Sequence, residues 1–400
     1  MVSPVTILAA PHRLLFLVGA VQLVAMLCWW LAVLAGLYFG TAAPAGGDIP
    51  AALLHAPLII YLALPPLFLG FLLTVFPRWM GYPDLGKTAY APVGLGYAVA
   101  TLAAWAALAT GDDELLAAAI ISALLAALWG GAALLRVALC ERTDGKDPTW
   151  HGWSILAALS AGVIGQTAFL FFLVDPAGAL ALPLSNRLGL WAFLLPVFVT
   201  VCHRMVPFFA GNVVAEYERW RPYWVLAAYW GATALLVAAL QFELAILVTG
   251  GALILAALTG LMAFKWWPRN EAPALLWVLI ISFVWAPIGY ALTALSSIGL
   301  QLGRAPEHAL TIGFASSLIV AMVTRVTQGH SGRPLELPMV GRIGFIGIQF
   351  AAVARIMAAI KGEDGPWLVI SAVIFVLAIA PWASRNAAIY LLPRKDGKAG

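Results

Sequence analysis

Charge is scarce in this sequence. Asp, Glu, Lys and Arg together make up 10% of the 400 residues, while 63% are hydrophobic, and the mean hydropathy is +0.96. A soluble domain carries about 25% charged residues, so the composition excludes water as the main solvent. Cysteine is nearly absent: Cys28, Cys140 and Cys202 are the only three, each in or at the end of an apolar segment. With no CxxC or CxxCH pattern, neither a disulfide framework nor a covalently attached c-type haem is expected, and the three read as small buried apolar residues. Histidine occurs six times. HExxH, P-loop, GxSxG and paired-carboxylate arrangements are all missing, so hydrolytic and nucleotide chemistry of the motif-borne kinds has no foothold. The N-terminal "MVSPVTILAAPHR" lacks the basic start and small-residue cleavage site of a signal peptide. The first apolar run, Leu14 to Phe39, is therefore expected to stay as a helix.

Apolar length is what the sequence has instead. Runs of about 18 or more residues, enough to cross a hydrocarbon core, recur throughout, without the polar–apolar alternation of barrel strands. An all-α polytopic membrane protein follows. Breaks at Gly, Pro and charge clusters predict twelve transmembrane helices near 14–39, 52–76, 90–110, 115–140, 151–174, 180–203, 223–240, 243–264, 274–300, 308–327, 339–360 and 366–391. No stretch between them could hold a soluble domain, so a single domain over 1–400 is expected. No internal repeat is evident. "TAAPAGGDIP" and the terminal "RKDGKAG" read as a loop and a frayed end.

Basic residues set the orientation. With the N-terminus placed in the cytoplasm, 16 of the 22 Lys and Arg fall in cytoplasmic segments; Arg304 and Lys361 fall opposite, and Arg136, Arg187, Arg355 and Arg385 lie within spans. A missed or extra helix near the middle would move the later loops across the membrane and erase this bias. The positive-inside rule thus supports twelve spans with both termini cytoplasmic. Basic loops also explain the net charge of +4, and no nucleic-acid partner is implied.

The topology gives each histidine a depth. His308 and His330 stand at opposite ends of one apolar stretch, "EHALTIGFASSLIVAMVTRVTQGHSGRP". At about 1.5 Å per residue they are roughly 33 Å apart, so one metal or haem cannot take both as ligands. His55 and His308 form an outer layer; His12, His203 and His330 form an inner one, with His151 near it. Ionisable groups at such depths are costly and tend to be functional, and imidazole suits haem iron and copper. An outer pair could hold one haem, as two axial ligands or as a ligand and a distal group. Three inner histidines suit a second haem or a copper ion. Arg187 and Arg304 outside, and Arg13, Arg204, Arg325 and Arg333 inside, are the candidates to pair with haem carboxylates. The plain alternative is that interfacial histidines and arginines are anchors, as "TWHGW" around His151 suggests.

Lesser features divide between packing and function. Pro65 and Pro66 in mid-span predict a kink, lining a cavity or simply packed. Gly70 and Gly313 permit close approach of a helix or of a flat macrocycle. Arg187 needs an anionic partner if it faces protein. Gln166 and Gln349 are explained by helix-to-helix hydrogen bonds. Tryptophans such as Trp79, Trp220, Trp224, Trp266, Trp267 and Trp367 fit the membrane interfaces.

Four motifs carry a family resemblance: "HRLLF" at 12–16, "GFLLTVFPRWMG" at 70–81, "HRMVPFFAGN" at 203–212 and "HALTIGFASSLIVAMVTRVTQGHSGRPL" at 308–335. They make the sequence similar to the NnrS family along nearly its whole length. The resemblance implies a bacterial inner-membrane protein of about twelve helices that contains haem and copper, tied to nitric oxide metabolism, nitrosative stress and denitrification. It maps onto His12, His203, His308 and His330, with Arg204, Arg325 and Arg333 in the same motifs. One departure is visible: the HxHE-like opening of the second helix reads "HAPLI" here, keeping His55 but placing Pro57 and Leu58 where a second histidine and an acid would stand.

The function expected is a membrane protein with haem b, one or two, and possibly copper, that binds nitric oxide and helps remove it. A nitric oxide reductase activity would join two molecules at the expense of two electrons and two protons, requiring a donor such as quinol. The chain lacks the neighbouring-histidine pair and H-P-E stretch of haem–copper oxidases and reductases. A secondary transporter and a haem- or copper-linked sensor or assembly factor are the rival readings.

Overall fold

The computed structural model describes residues 4–397 apart from 42, 43, 45, 46, 176, 177 and 179. Parts of the 41–50 loop and of the 394–400 tail, with Lys398, therefore lie outside the described residues. Among the described residues there is no strand, and twelve helices are long and apolar enough to cross a membrane. They are α1 Pro11–Phe39, α2 Ala51–Trp79, α3 Lys87–Thr110, α4 Asp113–Thr143, α5 Trp150–Val174, α6 Ala181–Ala210, α7 Tyr223–Gln241, α8 Ala245–Trp266, α9 Ala274–Ser297, α10 Ala305–His330, α11 Met339–Ile360 and α12 Gly365–Leu391. The all-α, twelve-span architecture is thus the one expected from sequence.

Three boundaries move, and each changes where a candidate residue sits. The first helix opens at Pro11, whose missing N–H costs nothing at a helix start, so His12 and Arg13 lie in its first turn rather than before it. The sixth runs through Pro207 to Ala210, placing His203 inside the helix and not at its end; a membrane helix tolerates an interior proline when neighbours re-satisfy the freed carbonyl. The tenth ends on His330 itself. Helix ends elsewhere follow local chemistry. Gly40 (φ +65°) closes α1 by donating to the Gly36 carbonyl, and Gly111 (φ +73°) closes α3, both in the left-handed region that glycine adopts freely. The Asp112 carboxylate caps the Leu115 N–H at 2.9 Å to start α4.

Burial separates the helices where hydropathy does not. The most apolar windows of α2, α6 and α10 are each 89% buried, against 33–56% for the other nine. Lipid tails are as apolar as leucine, so a lipid-facing span and a central one read alike. The three central spans share a construction as well. Each is interrupted by a π-helical segment, Ile59–Ala63 in α2, Leu188–Leu194 in α6 and Ala309–Ser316 in α10. Each lies four spans beyond the last. Between the first two the sequence keeps step: Pro66, Phe68, Pro77 and Gly81 recur 130 residues later as Pro196, Phe198, Pro207 and Gly211.

The contacts divide the chain into two compact units. Unit 1 holds residues 1–194, 329–333 and 383–400, and unit 2 holds 195–328 and 334–382. Within each, polar side chains bridge helices where the hydrophobic effect cannot, each such bond contributing about 0.6–2 kcal/mol. In unit 1 the Trp105 indole donates to Gln22 at 2.8 Å, and the Gln166 amide to the Ile120 carbonyl at 3.2 Å. The Tyr61 hydroxyl donates to the Ser185 carbonyl at 2.7 Å, and a Cβ at Gly165 or Gly189 would overlap that hydroxyl. In unit 2, Trp285 donates to Gln349 and Gln349 to Ser317, both at 2.7 Å, linking α9, α11 and α10. The glutamines serve packing, as read from sequence. Trp266, the last residue of α8, is fully buried and donates to the Trp220 carbonyl at 2.9 Å.

Gly313, in the α10 π segment, accepts an indole rather than a macrocycle: a Cβ there would stand 2.5 Å from Trp285. Overpacking of this kind costs about 1–3 kcal/mol. Gly313→Val is expected to lower the thermal unfolding temperature of the detergent-solubilised protein, whereas Gly131→Val, where nothing lies within 4 Å, should leave it nearly unchanged.

Candidate functional site

Two histidines from distant parts of the chain meet in unit 1. His12, in the first turn of α1, and His330, the last residue of α10, have ring centroids 4.6 Å apart and planes inclined at 54°. His12 is 2% exposed. Its ring packs against the edge of Phe16, and its Nδ1 lies 3.5 Å from the Thr74 hydroxyl, which donates to the Gly70 carbonyl at 2.7 Å.

Arginines surround the pair. Arg13, Arg78 and Arg394 face both histidines, together with Asp84 at His330; Arg333 faces Arg13 and Arg385. Two of these cations are neutralised locally. Arg78 forks onto Asp84 through two bonds of 2.7 Å, and Arg394 onto Asp396 at 2.9 and 2.6 Å. Arg13 instead donates to the neutral carbonyls of Tyr390 and Leu392, at 3.2 and 2.8 Å. The buried Nε of Arg13 and Nη1 of Arg333 have no hydrogen-bond partner among the described residues, and neither side chain has an ion pair there. Burying a guanidinium without an anion is costly. The end of unit 1 at His12 and His330 therefore combines two imidazoles, the usual protein ligands of a metal, with an unmet demand for an anion.

The ring spacing discriminates between metal groups. With a metal–nitrogen bond of about 2.0 Å, each imidazole centroid stands about 3.2 Å from the metal. Two trans ligands would then lie about 6.4 Å apart and two cis ligands about 4.5 Å. The observed 4.6 Å fits His12 and His330 as neighbouring ligands of one ion, such as copper, and does not fit them as the two axial ligands of one haem. The orphaned guanidinium nitrogens fit carboxylates such as those of haem. No group of three or more His, Cys, Asp or Glu placed to hold one metal occurs among the described residues.

The other sequence-selected residues are distributed as follows. His203 belongs to unit 2, fully buried, with its ring 6.2 Å from that of Trp266 and a hydrogen bond to the Pro222 backbone. His308, also in unit 2, has Nδ1 2.8 Å from the Arg304 carbonyl. A carbonyl only accepts, so Nδ1 carries the proton and Nε2 is the acceptor nitrogen, the tautomer a metal ligand needs. Arg304 pairs with Glu307 at 3.2 Å. His55, in unit 1, stacks on Trp30 with centroids 4.0 Å apart. His151, in the first turn of α5, is 1% exposed within unit 1; Trp150 beside it is 53% exposed. Arg325 covers the Phe209 ring at 3.8 Å, a cation–π contact. Arg187 and Arg204 are half-buried.

Sequence reasoning missed Arg78, Arg394 and Arg385 as parts of this site. The first two were absorbed into the basic-loop count. Arg385 had a usable signal, an ionisable residue within a span.

Fold and site together define a multi-pass helical membrane protein. The chain belongs to the NnrS family: the family model, described as NnrS protein, matches residues 6–394. No curated protein matches it.

Asp84 lies between α2 and α3. Hydrogen bonds from the Arg78 guanidinium hold its carboxyl below the ordinary range. A depressed carboxyl stabilises the fold above its unfolded value, about 3.9, and that contribution is lost as pH falls through the lower folded value. The pair's side chains are 50% and 64% exposed, so its contribution is about 0–1 kcal/mol. A carboxyl NMR titration is expected to place Asp84 below about 3.9, and Arg78→Met to return it there.

Proposed function

We propose that this chain is a haem protein of the bacterial inner membrane that binds nitric oxide and helps remove it, with separate histidine sites near its two faces. The observation that carries the reading is the His12–His330 pair among arginines, two of them lacking anions, in a chain of the NnrS family. In this reading the pair lies toward the cytoplasm, as do both termini, and holds copper. Arg13 and Arg333 would pair with an anionic group beside the pair, such as the carboxylates of a second haem. His308, with its Nδ1 bonded to the Arg304 carbonyl, would hold a haem b near the opposite face, where His55 is the companion candidate. Haem iron, when bound, supplies the position that takes nitric oxide. The protein's own part is to orient the imidazoles, compensate the carboxylates and exclude water with its apolar side chains. A reductase activity would draw two electrons from a donor such as quinol.

Optical spectra and metal analysis of the purified protein test this. A Soret band that shifts with dithionite and again with nitric oxide is expected, and a colourless, iron-free preparation would favour a transporter. His308→Ala should lose haem and keep copper. His330→Ala should keep the His308-linked haem and weaken copper binding by more than the about 10–100-fold typical of losing an outer-shell partner. Loss of the same spectral component in both variants, with expression intact, would contradict the two-site assignment.

A further inference from the structure

A cavity in unit 1 lies among α2 to α6, beside the π segments of α2 and α6. It begins at Pro65, just past the first segment, and reaches Phe193 in the second. Its walls include Phe68 and Phe193, whose rings meet edge to face at 5.4 Å, together with Tyr97 and Gln166. It has room for about one water-sized molecule. Its rim carries Ala127 of α4 and Val163 of α5, both only half-buried, so the opening is toward the surface of these two spans. π segments inside helices are frequent at functional sites, and this cavity adjoins two.

One wall is chemically incomplete. Tyr97 is fully buried, and its hydroxyl has no hydrogen-bond partner among the described residues. An unsatisfied buried hydroxyl costs about 1–3 kcal/mol. The other polar group in the wall, the Gln166 amide, gives one N–H to the Ile120 carbonyl and keeps its carbonyl oxygen and second N–H, so a single water held by Tyr97 and Gln166 is the competing occupant. The rest of the wall is apolar, and a diatomic molecule suits it: it takes dispersion contact from two aromatic rings and accepts a single hydrogen bond.

We propose that this cavity docks a diatomic gas entering from the bilayer, with the Tyr97 hydroxyl as its hydrogen-bond donor. Apolar gases concentrate in hydrocarbon, and the half-buried rim at Ala127 and Val163 faces that phase. Naming nitric oxide as the gas rests on the haem reading above; the capacity of the cavity to take a gas does not.

Xenon tests the cavity without haem. In crystals of the full-length protein pressurised with xenon, an anomalous peak is expected between Phe68, Tyr97 and Phe193. Ala127→Phe, or Val163→Phe should the first variant not fold, should abolish the peak. Tyr97→Phe should keep it and melt no lower than the native chain, since the hydroxyl has no partner to lose. The proposal fails if the native chain shows no xenon there, if an ordered water on Tyr97 occupies the cavity instead, or if the rim variants leave the peak intact. Xenon in a colourless, haem-free preparation would uphold the docking site and sink the haem reading. A haem-loaded preparation without xenon would do the reverse.

Discussion

Buried positive charge without matching negative charge is the constraint that organises one end of unit 1. Arg13 is 3% exposed and hydrogen-bonds to carbonyls, not carboxylates. Arg333 presents a buried nitrogen with no partner among the described residues. In a bilayer protein such groups persist only where something offsets them. The fold has drawn three remote segments together here: the start of α1, the end of α10 with the turn after it, and the end of α12 with the tail. The tail is fixed by the Lys395 N–H donating to the Ser331 carbonyl at 3.1 Å, and by Gly332, whose φ of +68° and contact with Asp396 leave no space for a side chain. An assembly so closely tied, and left with cations to spare, is suited to receiving an anionic group beside the two imidazoles.

Neutral and charged groups divide the work. In the proposed reading His12 and His330 would hold a metal. Arg78 and Arg394 are already occupied by Asp84 and Asp396 and so hold the loops. Arg13 and Arg333 have no ion pair among the described residues. In unit 2 the same economy of polar groups appears at the opposite end of α10, where the Arg304 carbonyl sets the tautomer of His308 while the Arg304 guanidinium engages Glu307. One helix thus carries two imidazoles in different surroundings, and its π segment lies next to His308, at Ala309–Ser316.

The twelve spans were legible because each is a long apolar run, a signal the bilayer imposes directly. Which spans are central was not, since α4 and α2 have nearly the same hydropathy, 2.1 and 2.3, yet are 33% and 89% buried. The opposite placement of His308 and His330 followed from helix rise alone. The meeting of His12 with His330 did not, because positive-inside counting assigns a face and not a neighbour. The sixth span ends later than the expected 203: in water a proline at 207 would break the helix, but in this fold α6 passes through it. The π segments left no trace in the sequence that period-counting could find.

The central claim is that His12 and His330 are ligands of a single ion. Electron paramagnetic resonance of the copper-loaded protein, with histidine labelled at both ring nitrogens, tests it most directly. The account predicts hyperfine coupling to two imidazoles in the native chain, reduced to one in either His12→Ala or His330→Ala. A copper signal coupled to two imidazoles that survives both substitutions unchanged, or a native chain that binds no copper while folded, would contradict it.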